Sequence, residues 1–208
     1  MPFFIGILVI DFELIKKVFF RLKERGIKLI TAESLTGGLI ASEFTKIPCA
    51  SEVLWGGYVV YTAEAKISLL SVKHEIIKDF GVVSPQTVEA MAFGAVKNFF
   101  DASCAPEPAV SIAVSGVAGP SSLEGNPPGT VCISSAFFCP ASFDFKKLHD
   151  SKILKKEALV FKTHTYRFSG SRDEVREQTL NKAFLHVLLL TERTAVPIRN
   201  CRDFIHKE

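Results

Sequence analysis

The sequence predicts an α/β fold in which helices cover both faces of a mixed β-sheet, giving three layers. Short apolar runs alternate along the chain with stretches whose apolar residues recur every three or four positions. Two of the apolar runs end in glycine-containing turns, 31–38 and 115–120, where open α/β sheets commonly bind ligands. No internal repeat or linker is visible, so the 208 residues are predicted to form one domain, with its core at about 12–190 and a polar tail at about 192–208.

The first predicted elements surround the first glycine turn. Phe12 to Lys23 carries apolar residues three and four positions apart and ends before Gly26, which predicts an amphipathic helix. The apolar run Ile27 to Thr31 predicts a strand, and Thr36 to Lys46 predicts a helix that stops before Pro48. The turn between these two elements therefore joins a strand to a helix.

One strand and three helices are predicted before the second glycine turn. Val53 to Tyr61 is rich in β-branched and aromatic residues, and its two glycines suggest a bulge or close backbone packing. Thr62 can cap a short helix, and Lys73 to Phe80 is predicted to be helical. A serine followed by proline opens the next predicted helix, at about 84–100.

The remaining chain is predicted to add three strands and a final helix. Ala109 to Val114 is a short apolar run suited to a central strand, and Gly129 to Phe138 and Ala158 to Phe168 are predicted to be further strands. The last helix begins near Ser171, where acidic residues in the first turn match the helix dipole. The lysine-rich stretch 139–156 has no clear period and is predicted to be a loop or a hairpin tip.

Composition argues against several function classes. A net charge of +3 is too small to imply nucleic-acid binding. The five cysteines include no CxxC pair and the histidines no HxxxH pair, so we expect reduced thiols, a cytoplasmic protein and no metal site. The apolar segment 2–10 is too short to span a bilayer and lacks signal-sequence features, so it is interpreted as a buried segment or an over-extended start.

The turn from Thr31 to Gly38 has two interpretations from its residues alone. The start of a helix offers free N–H groups and a dipole that suit an anion such as phosphate, and Ser34 and Thr36 add hydroxyls. Serine and threonine are also ordinary N-cap residues, so the turn could simply cap the helix. The residues by themselves leave both interpretations open.

Six motifs follow one another in a fixed order along the chain. They are Thr31-Ala32-Glu33-Ser34-x-Thr36-Gly37-Gly38, Gly57-Tyr58-Val59-x-Tyr61-x-x-Glu64-Ala65-Lys66, Gly81-x-Val83-Ser84, Ser115-Gly116-x-Ala118-Gly119-Pro120, Pro128-Gly129-Thr130-Val131 and Phe168-x-Gly170-x-Arg172-x-x-Val175-Arg176. The ordered set resembles the CinA C-terminal domain family over about residues 12–190. This resemblance implies hydrolysis of the carboxamide of nicotinamide mononucleotide to nicotinate mononucleotide and ammonia, without metal or cofactor, by a protein that tends to form homodimers.

The resemblance also implies the site residues. Ser34, Lys66 and Tyr61 are the expected catalytic residues. The expected substrate-binding residues are Thr36, Gly37, Gly38, Tyr58, Ser115, Gly116 and Arg172.

The chemistry of these side chains leaves two mechanisms open. A desolvated Lys66 with a lowered pKa could be the base toward a nucleophilic Ser34, or it could activate a water while Ser34 positions the substrate. Backbone N–H groups of Gly37 and Gly38 are expected to hold the phosphate or the oxyanion. Tyr61 is expected to orient Lys66 or to stack on the pyridine ring.

The sequence departs from the family pattern at four places. Leu35 stands where relatives usually have cysteine, and Ser171 replaces an aspartate. Residues 121–125 replace a loop that contains two glycines, and residues 139–157 resemble an insertion. The pair of Ser34 and Lys66 is retained, but the changed loop at 121–125 motivates an alternative to an enzyme, namely a catalytically weak nucleotide-binding protein or an interaction module associated with competence or damage.

Overall fold

The computed structural model describes residues 10–103, 107–140 and 154–193. The described segments form helices and strands that alternate along the chain. In chain order they are α1 (Phe12–Glu24), β1 (Lys28–Glu33), α2 (Leu39–Thr45), β2 (Leu54–Val59), α3 (Ala63–Leu70), α4 (His74–Phe80), α5 (Pro85–Ala102), β3 (Ala109–Gly116), β4 (Thr130–Phe138), β5 (Leu159–Arg167) and α6 (Arg172–Arg193). Single turns of 3-10 helix at Ala50–Glu52 and Lys156–Ala158 precede β2 and β5.

The five strands form one mixed sheet in the order β2-β1-β3-β4-β5. Strand β1 pairs parallel with β2 and β3, whereas β4 pairs antiparallel with β3 and β5. The last residue of β1, Glu33, lies opposite Val59 of β2 and Val114 of β3. The three chain segments that leave these strands therefore start at the same edge of the sheet, which is the usual position of a ligand site in an open α/β sheet.

Apolar side chains cover both faces of the sheet, which confirms the predicted three-layer α/β fold. On one face α1, α2 and α6 pack with residues such as Ile15, Phe44 and Phe184. On the other face α3 and α5 pack with residues such as Leu70 and Met91. The apolar side chains on the sheet-facing sides of α5 and α6, such as Val88, Met91, Leu180 and Phe184, are fully buried, as expected for helices that lie on a sheet.

The boundaries around the first glycine turn differ from the predicted ones. Strand β1 continues two residues further, to Glu33, and α2 begins at Leu39 rather than at Thr36. The intervening residues form a turn in which Gly37 and Gly38 have φ of 60° and 97°. These left-handed conformations are open to glycine but strained for other residues, so the helix cannot begin earlier.

Strand β2 contains both features that its two glycines suggested. The register with β1 passes from Leu54 to Gly56, which leaves Trp55 as the extra residue of a bulge. A Cβ atom on Gly57 would collide with the hydroxyl of Thr31 on β1. The strand ends at Val59, two residues before the predicted end at Tyr61.

Three predicted segments fall wholly or largely outside the described residues, namely the apolar N-terminus, most of the lysine-rich stretch 139–156 and the polar tail. No helix among residues 10–103, 107–140 and 154–193 is long and apolar enough to cross a membrane. The same part of the chain contains no cluster of His, Cys, Asp and Glu that could hold a metal ion.

Candidate active site

A cavity of about 380 Å³ opens at the sheet edge where β1, β2 and β3 end. Its wall combines the residues that follow these three strands with the segment at 82–83 and the start of α6. The residues that line it are Ser34, Leu35, Tyr61, Lys66, Val82, Val83, Ser115, Gly116, Val117, Ala118, Gly119, Pro120, Ser121, Ser122, Leu123 and Arg172. Six of the ten residues expected at the site, Ser34, Tyr61, Lys66, Ser115, Gly116 and Arg172, therefore meet at one cavity.

The side chain of Lys66 is buried against Ser34. Helix α3, which Thr62 caps through a hydrogen bond from the N–H of Ala65, places Lys66 with only 1% of its surface exposed. The Nζ of Lys66 lies 3.0 Å from the Oγ of Ser34 and 2.9 Å from the carbonyl oxygen of Val60. A third, longer hydrogen bond of 3.4 Å reaches the carbonyl oxygen of Tyr61.

This burial lowers the pKa of Lys66 from 10.5 to about 8, because the surroundings disfavour the ammonium form. The negative charge of Glu124 opposes the shift and raises the pKa. About half of Lys66 is therefore neutral at pH 8, and a smaller fraction is neutral at pH 7. A neutral amine keeps two N–H groups for the two carbonyls and can accept the hydroxyl proton of Ser34 with its lone pair.

The carboxylate of Glu33 occupies the N-terminus of α2. Glu33 is fully buried and accepts hydrogen bonds from the N–H groups of Gly38, Ile40 and Ala41 at 2.9–3.0 Å. Its negative charge matches the positive end of the helix dipole. Thus neither of the two interpretations of the turn holds, because the cap is an internal carboxylate rather than Ser34, Thr36 or a bound anion.

Four expected substrate-binding residues lie off the cavity wall. The N–H of Gly37 bonds the carbonyl of Ser34 and the N–H of Gly38 bonds Glu33, so neither is free for a phosphate or an oxyanion. Thr36 is fully buried, and its carbonyl accepts from Arg176. This corrects the expected placement of Thr36, Gly37 and Gly38.

Tyr58 lies in β2, whereas Tyr61 follows two residues after the end of this strand. Tyr58 packs against the core cluster that includes α5 and does not line the cavity, which corrects its expected placement. Tyr61 is 58% exposed; its carbonyl accepts from Lys66, and its phenol oxygen accepts a hydrogen bond of 2.8 Å from Arg172. The expectation that the Tyr61 side chain orients Lys66 is corrected accordingly.

The guanidinium of Arg172 bridges two walls of the cavity. Its Nη1 donates to the carbonyl of Gly119 at 3.0 Å, and its Nη2 donates to the phenol of Tyr61. Both acceptors are neutral, and within the described residues Arg172 forms no ion pair. Its charge is therefore available to an anionic group of a ligand.

Sequence reasoning missed the wall formed by the segments 82–83 and 117–124. Ser115 donates its hydroxyl proton to the carbonyl of Val82 at 2.7 Å, and Glu124 accepts from the N–H of Val82 at 2.7 Å. These bonds join the loop after β3 to the chain before α5. The signal available in the sequence was that Val83 and Gly119 belong to the ordered motifs, although neither carries a reactive group.

Comparisons with known proteins agree with this architecture. A family model described as the CinA C-terminal domain matches residues 11–150. A putative competence-damage inducible protein of Limosilactobacillus reuteri (strain DSM 20016) is 45% identical over 135 residues, which cover 65% of this chain and 31% of that protein. A protein of the same name from Caldicellulosiruptor bescii is 35% identical over 181 residues, which cover 86% of this chain and 37% of that protein. The chain thus spans about a third of the length of these curated relatives.

Solved structures give matches that cover most of both chains. The competence/damage inducible protein CihA from Agrobacterium tumefaciens superposes with a TM-score of 0.69 at 31% identity, covering 91% of this chain and 99% of that chain. The competence or damage-inducible protein from Enterobacter asburiae gives a TM-score of 0.68 at 30% identity, covering 86% and 97%.

Proposed function

The chain belongs to the CinA C-terminal domain family, and from this premise we propose that it is a metal-independent amidohydrolase that converts nicotinamide mononucleotide to nicotinate mononucleotide and ammonia. The observation that carries the proposal is the buried Lys66 in hydrogen-bond contact with Ser34 at the wall of a cavity. An amide is unreactive, so its hydrolysis needs an activated nucleophile of this kind.

We propose Ser34, rather than a water, as the nucleophile. All three hydrogen-bonding directions of the Lys66 amine are filled by protein atoms, and Ser34 is the partner that brings a hydroxyl group to the cavity. A water could reach Lys66 only by displacing Ser34 or a carbonyl. The contact therefore favours the serine–lysine mechanism over direct activation of water.

The proposed reaction proceeds through an ester on Ser34. Neutral Lys66 takes the hydroxyl proton while the Oγ attacks the carboxamide carbon and the carbonyl oxygen becomes an oxyanion. The intermediate collapses, the C–N bond breaks, and Lys66 returns the proton to the nitrogen, which leaves as ammonia. Water then attacks the ester, giving up a proton through Lys66 to the Ser34 oxygen, and the carboxylic acid product leaves.

Arg172 is the proposed partner of the substrate phosphate. It is a cation at the cavity whose two hydrogen-bond acceptors are neutral. A substrate phosphate could replace the Tyr61 phenol as an acceptor, and Arg172 would then form a stronger, charge-assisted hydrogen bond. The cavity volume lies within the range typical of small-molecule sites. The deamidase is also proposed to act in the cytoplasm as a homodimer.

The experiment is ammonia release from nicotinamide mononucleotide by the purified protein and by two variants. Ser34→Ala and Lys66→Met are expected to lower kcat by at least about 1,000-fold, because each removes a reacting group. Ser42→Ala, at an exposed serine on α2, is the matched control and should retain full activity. Ser34→Ala with near wild-type activity would refute the nucleophile. Saturable nucleotide binding by a folded wild type without turnover would refute the enzyme and favour the binding-module alternative.

A further inference from the structure

We propose that the backbone N–H groups of Leu35 and Gly116 form the site that holds the oxyanion during attack by Ser34. The inference rests on the proposed amidohydrolase function and adds to it the donors that stabilise the transition state. Such donors commonly supply a large share of the rate enhancement in acyl transfer.

Leu35 directly follows the nucleophile, and the bonds around it leave its own N–H unpaired in the described part of the chain. The N–H of Ser34 bonds the carbonyl of Val114 at 3.1 Å, and the N–H of Gly37 bonds the carbonyl of Ser34 at 3.0 Å. The N–H of Leu35 has no acceptor in the described part of the chain, although Leu35 is 96% buried and lines the cavity. Buried N–H groups are nearly always paired, so this one is poised to bond a ligand atom.

Gly116, which also lines the cavity, has a second N–H without an acceptor in the described part of the chain. Successive N–H groups of a strand point to opposite sides, and the next one, of Val117, bonds Thr130 at the start of β4 at 2.8 Å. The N–H of Gly116 therefore faces β1. Strand β1 ends at Glu33, and among residues 10–103, 107–140 and 154–193 no carbonyl accepts from Gly116 across the gap.

The strand register places the two donors near the same end of neighbouring strands. Glu33 lies opposite Val114, Leu35 comes two residues after Glu33, and Gly116, the last residue of β3, comes two residues after Val114. Both line the cavity with Ser34. When the Oγ of Ser34 bonds the carboxamide carbon, the carbonyl oxygen takes the negative charge between these N–H groups and loses it again when the C–N bond breaks. The N-terminus of α2 cannot serve instead, because Glu33 occupies it.

Single amide-to-ester replacements test this assignment, because they remove one N–H and leave the side chain unchanged. Leucic acid replaces Leu35 in one protein and glycolic acid replaces Gly116 in another. Each change should lower kcat for nicotinamide mononucleotide by about 100-fold or more with KM within about threefold. The control is glycolic acid at Gly125, whose N–H is also unpaired in the described structure but which does not line the cavity.

The rate at which a fluorophosphonate labels Ser34 separates this inference from the deamidase proposal. The phosphonyl oxygen of the reagent takes the place of the oxyanion whatever the natural substrate is. Slower labelling of the esters at 35 and 116, by about tenfold or more relative to the ester at 125, supports the site even if no ammonia is released. Unchanged labelling at both positions, a larger loss at 125 than at 116, or no labelling of the folded wild type overturns the site, even if the protein is a deamidase.

Discussion

Replacing the buried Lys66 by methionine should change how the stability of the protein depends on pH. Methionine keeps the unbranched shape of the side chain but cannot bind a proton. The difference in the free energy of unfolding between wild type and Lys66→Met therefore reports the proton on Lys66, because the titration of other groups cancels.

The sign and size of the effect follow from the two pKa values of Lys66. Its pKa is about 8 in the folded protein and 10.5 in the unfolded chain. Between these values the unfolded chain binds a proton that the folded protein does not, so the stability of the wild type rises with pH in this window. From pH 7 to pH 9.5 the wild type should gain about 2 kcal/mol relative to Lys66→Met, whereas below about pH 7 the difference should be constant.

Urea unfolding at pH 6, 7, 8.5 and 9.5 measures this difference, with fluorescence or circular dichroism as the signal. Lys73→Met removes one positive charge from an exposed position and is the control for the change in net charge. A difference between wild type and Lys66→Met that stays within about 0.5 kcal/mol from pH 7 to pH 9.5 would show that burial does not lower the pKa of Lys66.

Three further substitutions probe other contacts. We expect kcat/KM to fall below about pH 8, where Lys66 becomes protonated. Glu124→Gln removes a negative charge that raises the pKa of Lys66, so this fall in kcat/KM should move to lower pH. Glu33→Gln should lower the free energy of unfolding by about 2 kcal/mol, because an amide nitrogen cannot accept from the N–H groups of α2. Gly57→Ala should lower it by about 1–3 kcal/mol in urea unfolding, because the added Cβ collides with β1, whereas Gly56→Ala meets no atom within 4 Å and should change it by less than about 1 kcal/mol.

Each of these substitutions has an outcome that would contradict its premise. If the pH at which kcat/KM falls is unchanged or higher in Glu124→Gln, the carboxylate of Glu124 does not raise the pKa of Lys66. Glu43→Gln is the control for Glu33→Gln, because Glu43 is also buried on α2 but pairs with an exposed lysine. If Glu33→Gln and Glu43→Gln lower the free energy of unfolding equally, Glu33 does not have a special capping role. If Gly57→Ala and Gly56→Ala lower it equally, the close approach of β1 to Gly57 does not decide the effect.

Elements whose stability comes from a repeating apolar pattern could be predicted from the sequence. Helix α5, with its serine cap, proline and buried stripe, begins where predicted and ends within two residues of the expected position. Sequence patterns are enough to predict the structure where the contacts that determine it lie within one helix or strand.

The cap of α2 could not be predicted by the same rules. The sequence shows a helix start rich in hydroxyls and glycine, which is equally compatible with a side-chain cap and with a bound anion. The outcome depends on Glu33, a strand residue whose carboxylate turns back onto the helix that follows it. A tertiary hydrogen bond of this kind leaves no periodic signal in the chain.

The wall of the cavity formed by the loop after β3 was missed for a related reason. The loop contributes backbone and small side chains, so no single residue type marks it as functional. Its position depends on the bonds from Ser115 and Glu124 to Val82, a residue more than thirty positions earlier in the chain. The pairing of Ser34 with Lys66 was expected only because the ordered motifs resemble a family.

The anchoring of Lys66 has a consequence for how the protein loses activity. The two carbonyls that hold its amine belong to Val60 and Tyr61, which follow the edge strand β2, whereas Ser34 follows β1, which has a strand on each side. Edge strands exchange their amide hydrogens through local opening at lower free energy than central strands. A fluctuation that frees β2 would separate Lys66 from Ser34 while the rest of the sheet stays folded. We therefore expect the contact between these two side chains to be lost by local opening at this edge before the fold itself unfolds.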